Sequence, residues 1–243
     1  MENGVGLELQ GFAEPDVLDG DWPADVARYK KRLAEAGFDS LLSMHGAFFD
    51  LVSASPDRKV VALARERYTT NLQIAHEFEA EYVVFHANFL AMIRMPEYRD
   101  QWTVRQTDFW GDMAEEAGDL GITILLENMW EPDPAIIGDV LDAVNSPHLR
   151  SCVDVGHTSL FSSLILENWL ERLRRYVVYV HLNNNPGGVD YHQALNEGTI
   201  DYSKVLADLR ALPEPPIFCL EIERVDDIAR SLPYFHLAQV EQA

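Results

Sequence analysis

Lysine is scarce in this chain. Of 243 residues only four are lysines, Lys30, Lys31, Lys59 and Lys204, and the 40 acidic residues outnumber the 19 basic ones to leave a formal charge of −21. Nucleic-acid affinity comes largely from Lys and Arg releasing counterions, so a surface this acidic counts against DNA or RNA as substrate. No lysine ends an apolar strand-like run, which sets aside a Schiff-base aldolase. No strand-like run is followed by a Gly-rich phosphate loop, which argues against dinucleotide and nucleoside-triphosphate folds. No apolar run approaches the roughly 18 residues that span a bilayer. The start, Met1-Glu2-Asn3-Gly4, has neither a basic n-region nor an apolar h-region. Cysteine is nearly absent too. Cys152 and Cys219 both sit in apolar runs and read as buried thiols in a reducing cytoplasm.

What is present is a regular alternation. Strand-like runs are expected near Val5–Phe12, Ser40–His45, Tyr82–His86, Ile122–Glu127, Ser151–Asp154, Val177–His181 and Ile217–Glu221. Helical spacing is expected over Trp22–Ala36, Val60–Phe78, Arg99–Leu120, Ala135–Val144, Glu167–Arg175, Tyr202–Leu212 and Asp226–Gln239. Buried-looking strands alternating with helices predict parallel βα units. No linker-like stretch divides the chain, so residues 1–243 are expected to form one α/β domain, a TIM-type (β/α) barrel of seven units.

In such a barrel the chemistry sits where each strand ends. Six of the seven expected strands end in a residue type that ligates metals: His45, His86, Glu127, Asp154, His181 and Glu221. Their spacings of 41, 41, 27, 27 and 40 residues each leave room for one helix and the next strand. Barrel closure would bring all six to one rim. Three more candidates follow closely, His157 in Asp154-Val-Gly-His157, and Asp190 and His192 in Asp190-Tyr-His192. Four carboxylates at one rim repel one another, and a cation is the simplest compensation. Nine groups exceed what one ion needs and suffice for two or three. His76, His148 and His236 fall on helices or connections and read as structural.

Several stretches, in order, resemble the xylose isomerase-like TIM-barrel superfamily, which holds sugar and sugar-phosphate isomerases and epimerases and also the endonuclease IV family. They are Ser43–Leu51, Val83–His86, Leu126-Glu-Asn128, Cys152–His157, Val180-His-Leu-Asn183, Gly188–His192, Asn196–Asp201 and Leu220-Glu221. In the epimerase branch, the resemblance implies one Mn²⁺ or similar ion on Glu127, Asp154, His181 and Glu221, with the two glutamates exchanging a substrate proton. In the endonuclease IV branch it implies that His45, His86, His157, Asp190 and His192 join them to hold three Zn²⁺ ions. Members usually have eight βα units. Here Val5–Gln10 resembles the second strand, so the first unit is expected to be missing: either the barrel is open, with a parallel edge that self-association would cover, or the true start lies upstream.

Two reactions follow. The first is isomerisation or epimerisation of a small sugar or sugar phosphate, with one to three Zn, Mn or Mg ions polarising the substrate oxygens and Glu127 and Glu221 moving the proton. Trp130, Phe12, Phe48 and Phe89 are expected near the pocket, with Glu8 and Gln10 toward hydroxyls and Arg224 toward a phosphate or carboxylate. The second is phosphodiester hydrolysis at a multinuclear zinc site. The loops after His45 and His86 lack the basic, intercalating character that gripping a duplex requires. A metal-binding scaffold without turnover is the third and least favoured reading.

Overall fold

The computed structural model describes residues 5–235. His236 and the end of the expected Asp226–Gln239 helix lie outside the described residues, as do Met1–Gly4. Strands and helices alternate in the order β1 (Leu7–Leu9), α1 (Pro15–Leu18), α2 (Trp22–Glu35), β2 (Leu42–His45), α3 (Arg58–Glu77), β3 (Tyr82–His86), α4 (Tyr98–Asp119) and β4 (Thr123–Glu127). There follow α5 (Ala135–Val144), β5 (Leu149–Asp154), α6 (Val155–Phe161), α7 (Leu166–Leu173), β6 (Val177–Leu182), α8 (Tyr202–Arg210), β7 (Ile217–Leu220) and α9 (Val225–Ser231). All seven strands belong to one sheet, in chain order. The pairs β1–β2, β2–β3, β5–β6 and β6–β7 are parallel.

Local chemistry sets the boundaries. Asp21, Asp57 and Asp201 cap α2, α3 and α8, each accepting a backbone N–H of the first turn. Gly121, in the left-handed region at φ +74°, turns the chain out of α4 toward β4. Three expectations shift. The first strand is only Leu7–Leu9, because Ala13 N–H donates to Gln10 O and folds the chain into a turn before Phe12. The helix α6 begins directly at the end of β5 with Asp154 as its cap; at seven residues it is too short to show a period. The last helix stops at Ser231 and a 3₁₀ turn through Pro233 follows.

The chain forms two compact units. The first comprises the residues up to Asn88, Arg94–Leu126 and Asp139–Arg150. Its core is aromatic. The Tyr68 ring lies 4.3 Å from Phe85 and stacks on Trp110 at 5.6 Å. Buried Asn71 accepts the Ala47 N–H (2.8 Å) and donates to Phe12 O (2.9 Å), tying two loops together. The second unit comprises Phe89–Ile93, Glu127–Gly138 and the described residues from Ser151 onward. There β5, β6 and β7 lie side by side, and Trp169, Leu173, Tyr202 and Leu209 are buried. No helix among the described residues is long and apolar enough to cross a membrane.

Candidate active site

Seven of the nine expected ligands fall in the second unit, and there they converge. The strand register does the first part of the work, placing Asp154 opposite His181. His181 is the penultimate residue of β6 and Glu221 the residue just after β7, so each stands one position from where the sequence placed the strand end. One ligand atom from each of Glu127, Asp154, His181 and Glu221 lies within 4.8 Å of the others. His181 Nδ1 is 3.2 Å from Glu127 Oε1 and 3.2 Å from Glu221 Oε2. Ligands about 2.1 Å from a shared ion stand roughly 3–4 Å apart, so these separations suit a divalent cation. Glu127, Asp154 and His181 are fully buried.

His157, Asp190 and His192 form a second group. The Asp190 carboxylate spans the two imidazoles, with Oδ2 at 3.0 Å from His157 Nε2 and Oδ1 at 3.4 Å from His192 Nε2. The groups adjoin: His157 Nδ1 is 3.3 Å from Glu127 Oε1, and His192 Nδ1 is 3.6 Å from Glu221 Oε2. Each imidazole is oriented by a backbone carbonyl. His157 Nδ1 meets Asn128 O at 2.8 Å and His192 Nδ1 meets Glu221 O at 2.9 Å. Donation from Nδ1 leaves Nε2 of each ring as the ligating nitrogen.

Buried amides hold this arrangement. Asp154 is at once helix cap and cluster member: Oδ1 accepts the His157 N–H (2.5 Å) and Oδ2 accepts from Asn183 Nδ2 (2.8 Å). Asn128 pairs with the Asp154 backbone on both sides, its Nδ2 donating to Asp154 O and its Oδ1 accepting Asp154 N–H. Asn184 fills its hydrogen-bonding capacity, donating to Leu195 O and Ile200 O and accepting from Asn185 N and Ile200 N. It thereby braces the loop that carries Asp190 and His192. His192 itself adopts φ +46°, a left-handed backbone uncommon outside glycine and typical of functional sites. None of these amides was assigned a role from sequence. The run Asn183-Asn184-Asn185 directly after a strand was the available signal.

The electrostatics express crowding. Burial raises the Asp154 carboxyl to about 7, and the neighbouring Glu221 and Glu127 push the same way against two imidazoles. Burial also pushes Glu221 up, but His181 and His192 outweigh it and hold that carboxyl at about 2. Burial lowers both imidazoles, yet Asp154 and Asp190 lift His157 well above its ordinary value and Asp190 lifts His192 to about 9. Asp190 in turn is held low despite its burial by its bonds to both rings. Three carboxylates and one imidazole within 4.8 Å, one of the carboxylates pressed to keep its proton, is a donor set that fits a divalent cation.

The remaining candidates fall in both units. His45 and His86 lie in the first unit, edge-to-face with ring centroids 5.0 Å apart. Phe48 packs on both, at 5.3 and 5.2 Å. Phe12, expected at the pocket, is 1% exposed, and its ring is taken up by Tyr29 and Phe78 on the helix side. Trp130 is 39% exposed in the loop after β4, and Phe89 is buried. Arg224 is exposed at the N-cap of α9. Gln10 and Glu8 contact each other at 3.5 Å. His76 and His148 each meet a backbone carbonyl, of Leu120 and Ile122, as structural histidines do.

Strand–helix alternation with acidic and imidazole groups at strand ends defines a class, and comparison with known proteins gives the family. Residues 6–238 match the family model of the xylose isomerase-like TIM barrel, and the chain belongs to that family. A solved structure of the TTHB071 protein from Thermus thermophilus, soaked with zinc chloride, is 29% identical with a TM-score of 0.80, covering 96% of this chain and 88% of that one. A D-tagatose 3-epimerase-like protein has a TM-score of 0.81 at 22% identity, over 95% and 86% of the two chains, and so speaks for the fold. The uncharacterized protein MJ1311 of Methanocaldococcus jannaschii is 25% identical over 199 residues. That match takes in 77% of this chain and 66% of the relative, just under two thirds of its length.

Proposed function

We propose that this protein is a divalent-metal-dependent isomerase or epimerase of a small polyhydroxylated carbonyl compound. The observation that carries the reading is the placement of Glu127 and Glu221. They come from different strand ends and stand at the same 3.2 Å from one imidazole, His181, with Asp154 completing the set. A cation bound there supplies Lewis acidity toward the carbonyl and hydroxyl oxygens of the substrate. The chain's own groups do the rest. One glutamate takes the proton from the carbon bearing a hydroxyl beside the carbonyl, and the electron pair moves into an enediolate. The other returns a proton, to the opposite face of that carbon for epimerisation, or to its neighbour for isomerisation, in which the hydroxyl proton also passes to the former carbonyl oxygen. Asn128 and Asn183 hold Asp154 in register throughout. This reading includes a cytoplasmic location, where Cys152 and Cys219 would stay reduced.

The test is solvent exchange. The protein supplied with Mn²⁺ or Zn²⁺ is incubated with a panel of ketoses in D₂O, and deuterium at carbon is followed by NMR. Incorporation is expected for at least one ketose and should vanish in Glu221→Gln. A second reading, hydrolysis of a small phosphodiester at a multinuclear site, is favoured by one observation: the group His157, Asp190 and His192 directly adjoins the first. Cleavage of an activated phosphodiester with no exchange into any ketose would replace the first reading with the second.

A further inference from the structure

Glu131 was not among the residues expected at the site, and it is an odd one to bury. Its side chain is 1% exposed. Oε1 accepts the backbone N–H of Phe89 at 2.8 Å, and Oε2 accepts that of Met129 at 2.6 Å. A carboxylate without water is costly unless its acceptors are well used. Here they are used on two loop peptides, and the second matters most. The N–H of Met129 and the C=O of Asn128 belong to one peptide group. Glu131 grips that peptide by its N–H, and the same peptide's oxygen receives His157 Nδ1 at 2.8 Å.

We infer that Glu131 is a positioning residue for His157, acting through the Asn128–Met129 peptide as a carboxylate–peptide–imidazole relay. A charge on Oε2 polarises the peptide, strengthens its carbonyl as an acceptor and keeps the proton of His157 on Nδ1. Nε2 is then presented to Asp190 and to a ligand held between them. Outer carboxylates that orient a histidine directly are a known way to set ligand basicity; here a planar peptide stands between. The bond to Phe89 fixes the other oxygen, so the carboxylate cannot swing away from Met129. Burial raises the Glu131 carboxyl to about 6 against its backbone bonds, so at neutral pH the relay carries its charge.

The inference rests on the metal-binding part of the proposed function, and one titration separates the two. Zn²⁺ is titrated calorimetrically into chelator-stripped wild type and into Glu131→Gln, with the melting curve as the check on folding. Gln keeps one acceptor but turns an N–H₂ toward the second donor. Binding about tenfold weaker is expected, together with loss of the protected His157 Nδ1–H resonance in the NMR spectrum; a clamp that merely stiffens the loop would leave that proton in place. Equal affinity within twofold and an unchanged resonance would overturn the relay and leave the functional reading standing. No Zn²⁺ binding by wild type would overturn both. If Glu131→Gln does not fold, Glu131→Asp is read against the same thresholds.

Discussion

Replacing Gly156 by Ala should damage this protein, although Gly156 lies in a helix where alanine is ordinarily the better residue. It is the second residue of α6, between Asp154 and His157. A Cβ built there would stand 2.0 Å from Asn183 Oδ1 and 2.9 Å from its Cγ. Ordinary contact begins near 3.4 Å, so the amide must retreat by about 1.4 Å. It has nowhere to go cheaply. Asn183 is fully buried, its Nδ2 donates to Asp154 Oδ2 at 2.8 Å, and its backbone carbonyl receives the Tyr202 hydroxyl. Overpacking costs about 1–3 kcal/mol. Loss of a hydrogen bond to a carboxylate costs roughly 1.5–3 kcal/mol more. The gain in helix propensity returns at most about 1 kcal/mol. The net expectation is roughly 2–5 kcal/mol, or a melting point lower by roughly 5–15 °C for a chain of this size.

Gly111→Ala is the matched control. Gly111 is inside α4, and nothing lies within 4 Å of the Cβ it would gain. That variant should melt at or slightly above wild type, by about 0.5–1 kcal/mol of stability. Both are measured by thermal melts followed by circular dichroism, with Zn²⁺ affinity alongside. Gly156→Ala should also bind Zn²⁺ more weakly, because Asp154 loses the donor that aims it. A Gly156→Ala protein as stable as Gly111→Ala, with unchanged affinity, would refute the claim that this glycine exists to admit Asn183.

Further outcomes are expected. Asn184→Ala removes four hydrogen bonds, two of them fully buried, and should speed amide exchange across 186–193, with the melting point down by several degrees; unchanged exchange would show the loop is held otherwise. Asn71→Leu leaves the Ala47 N–H and Phe12 O without their buried partner and should cost about 2–4 kcal/mol in denaturant unfolding. Metal-free protein should lose stability as pH rises. Asp154, raised from 3.8 to about 7, contributes fully below 3.8 and loses that contribution through 7; His192, raised from 6.5 to about 9, contributes fully below 6.5 and loses it through 9. Zn²⁺ takes the place of those protons, so the rise in melting point it confers should grow between pH 6 and 9, and a pH-independent rise would contradict the assignment.

The sequence made some parts of this molecule legible and not others. Val83–His86 and Ala135–Val144 announce themselves because a β-branched run and an amphipathic stretch each have a period of their own. Strand-end acids and imidazoles were legible for the same reason: a polar group closing an apolar run violates the local pattern. Phe12 was misplaced because the pattern gives hydrophobicity, not direction, and a turn at Gln10–Ala13 sends that ring toward Tyr29 and Phe78. The supporting amides were invisible. Asn128, Asn183 and Asn184 read as loop residues until three-dimensional pairing shows them buried and bonded. Glu131 was hidden in an acidic, Pro-containing loop where a surface carboxylate is the default.

These two kinds of residue differ in what they cost the fold, and that difference locates the chemistry. Asn184, with every polar atom answered, specifies a loop conformation and stabilises the native state. Asp154 is also answered, by His157 N–H and Asn183, yet its carboxyl is pushed to about 7 by burial, with Glu221 and Glu127 adding to the push. An amide in its place would shed the repulsion but would turn an N–H₂ toward one of its two donors, the His157 N–H or Asn183 Nδ2. The position calls for two acceptor oxygens, and the acid that supplies them, next to His157 and opposite His181, brings a charge into a buried site. That charge is useful to the protein when something positive sits among Glu127, Asp154, His181 and Glu221, and the buried amides are the scaffold that holds those groups together until it does.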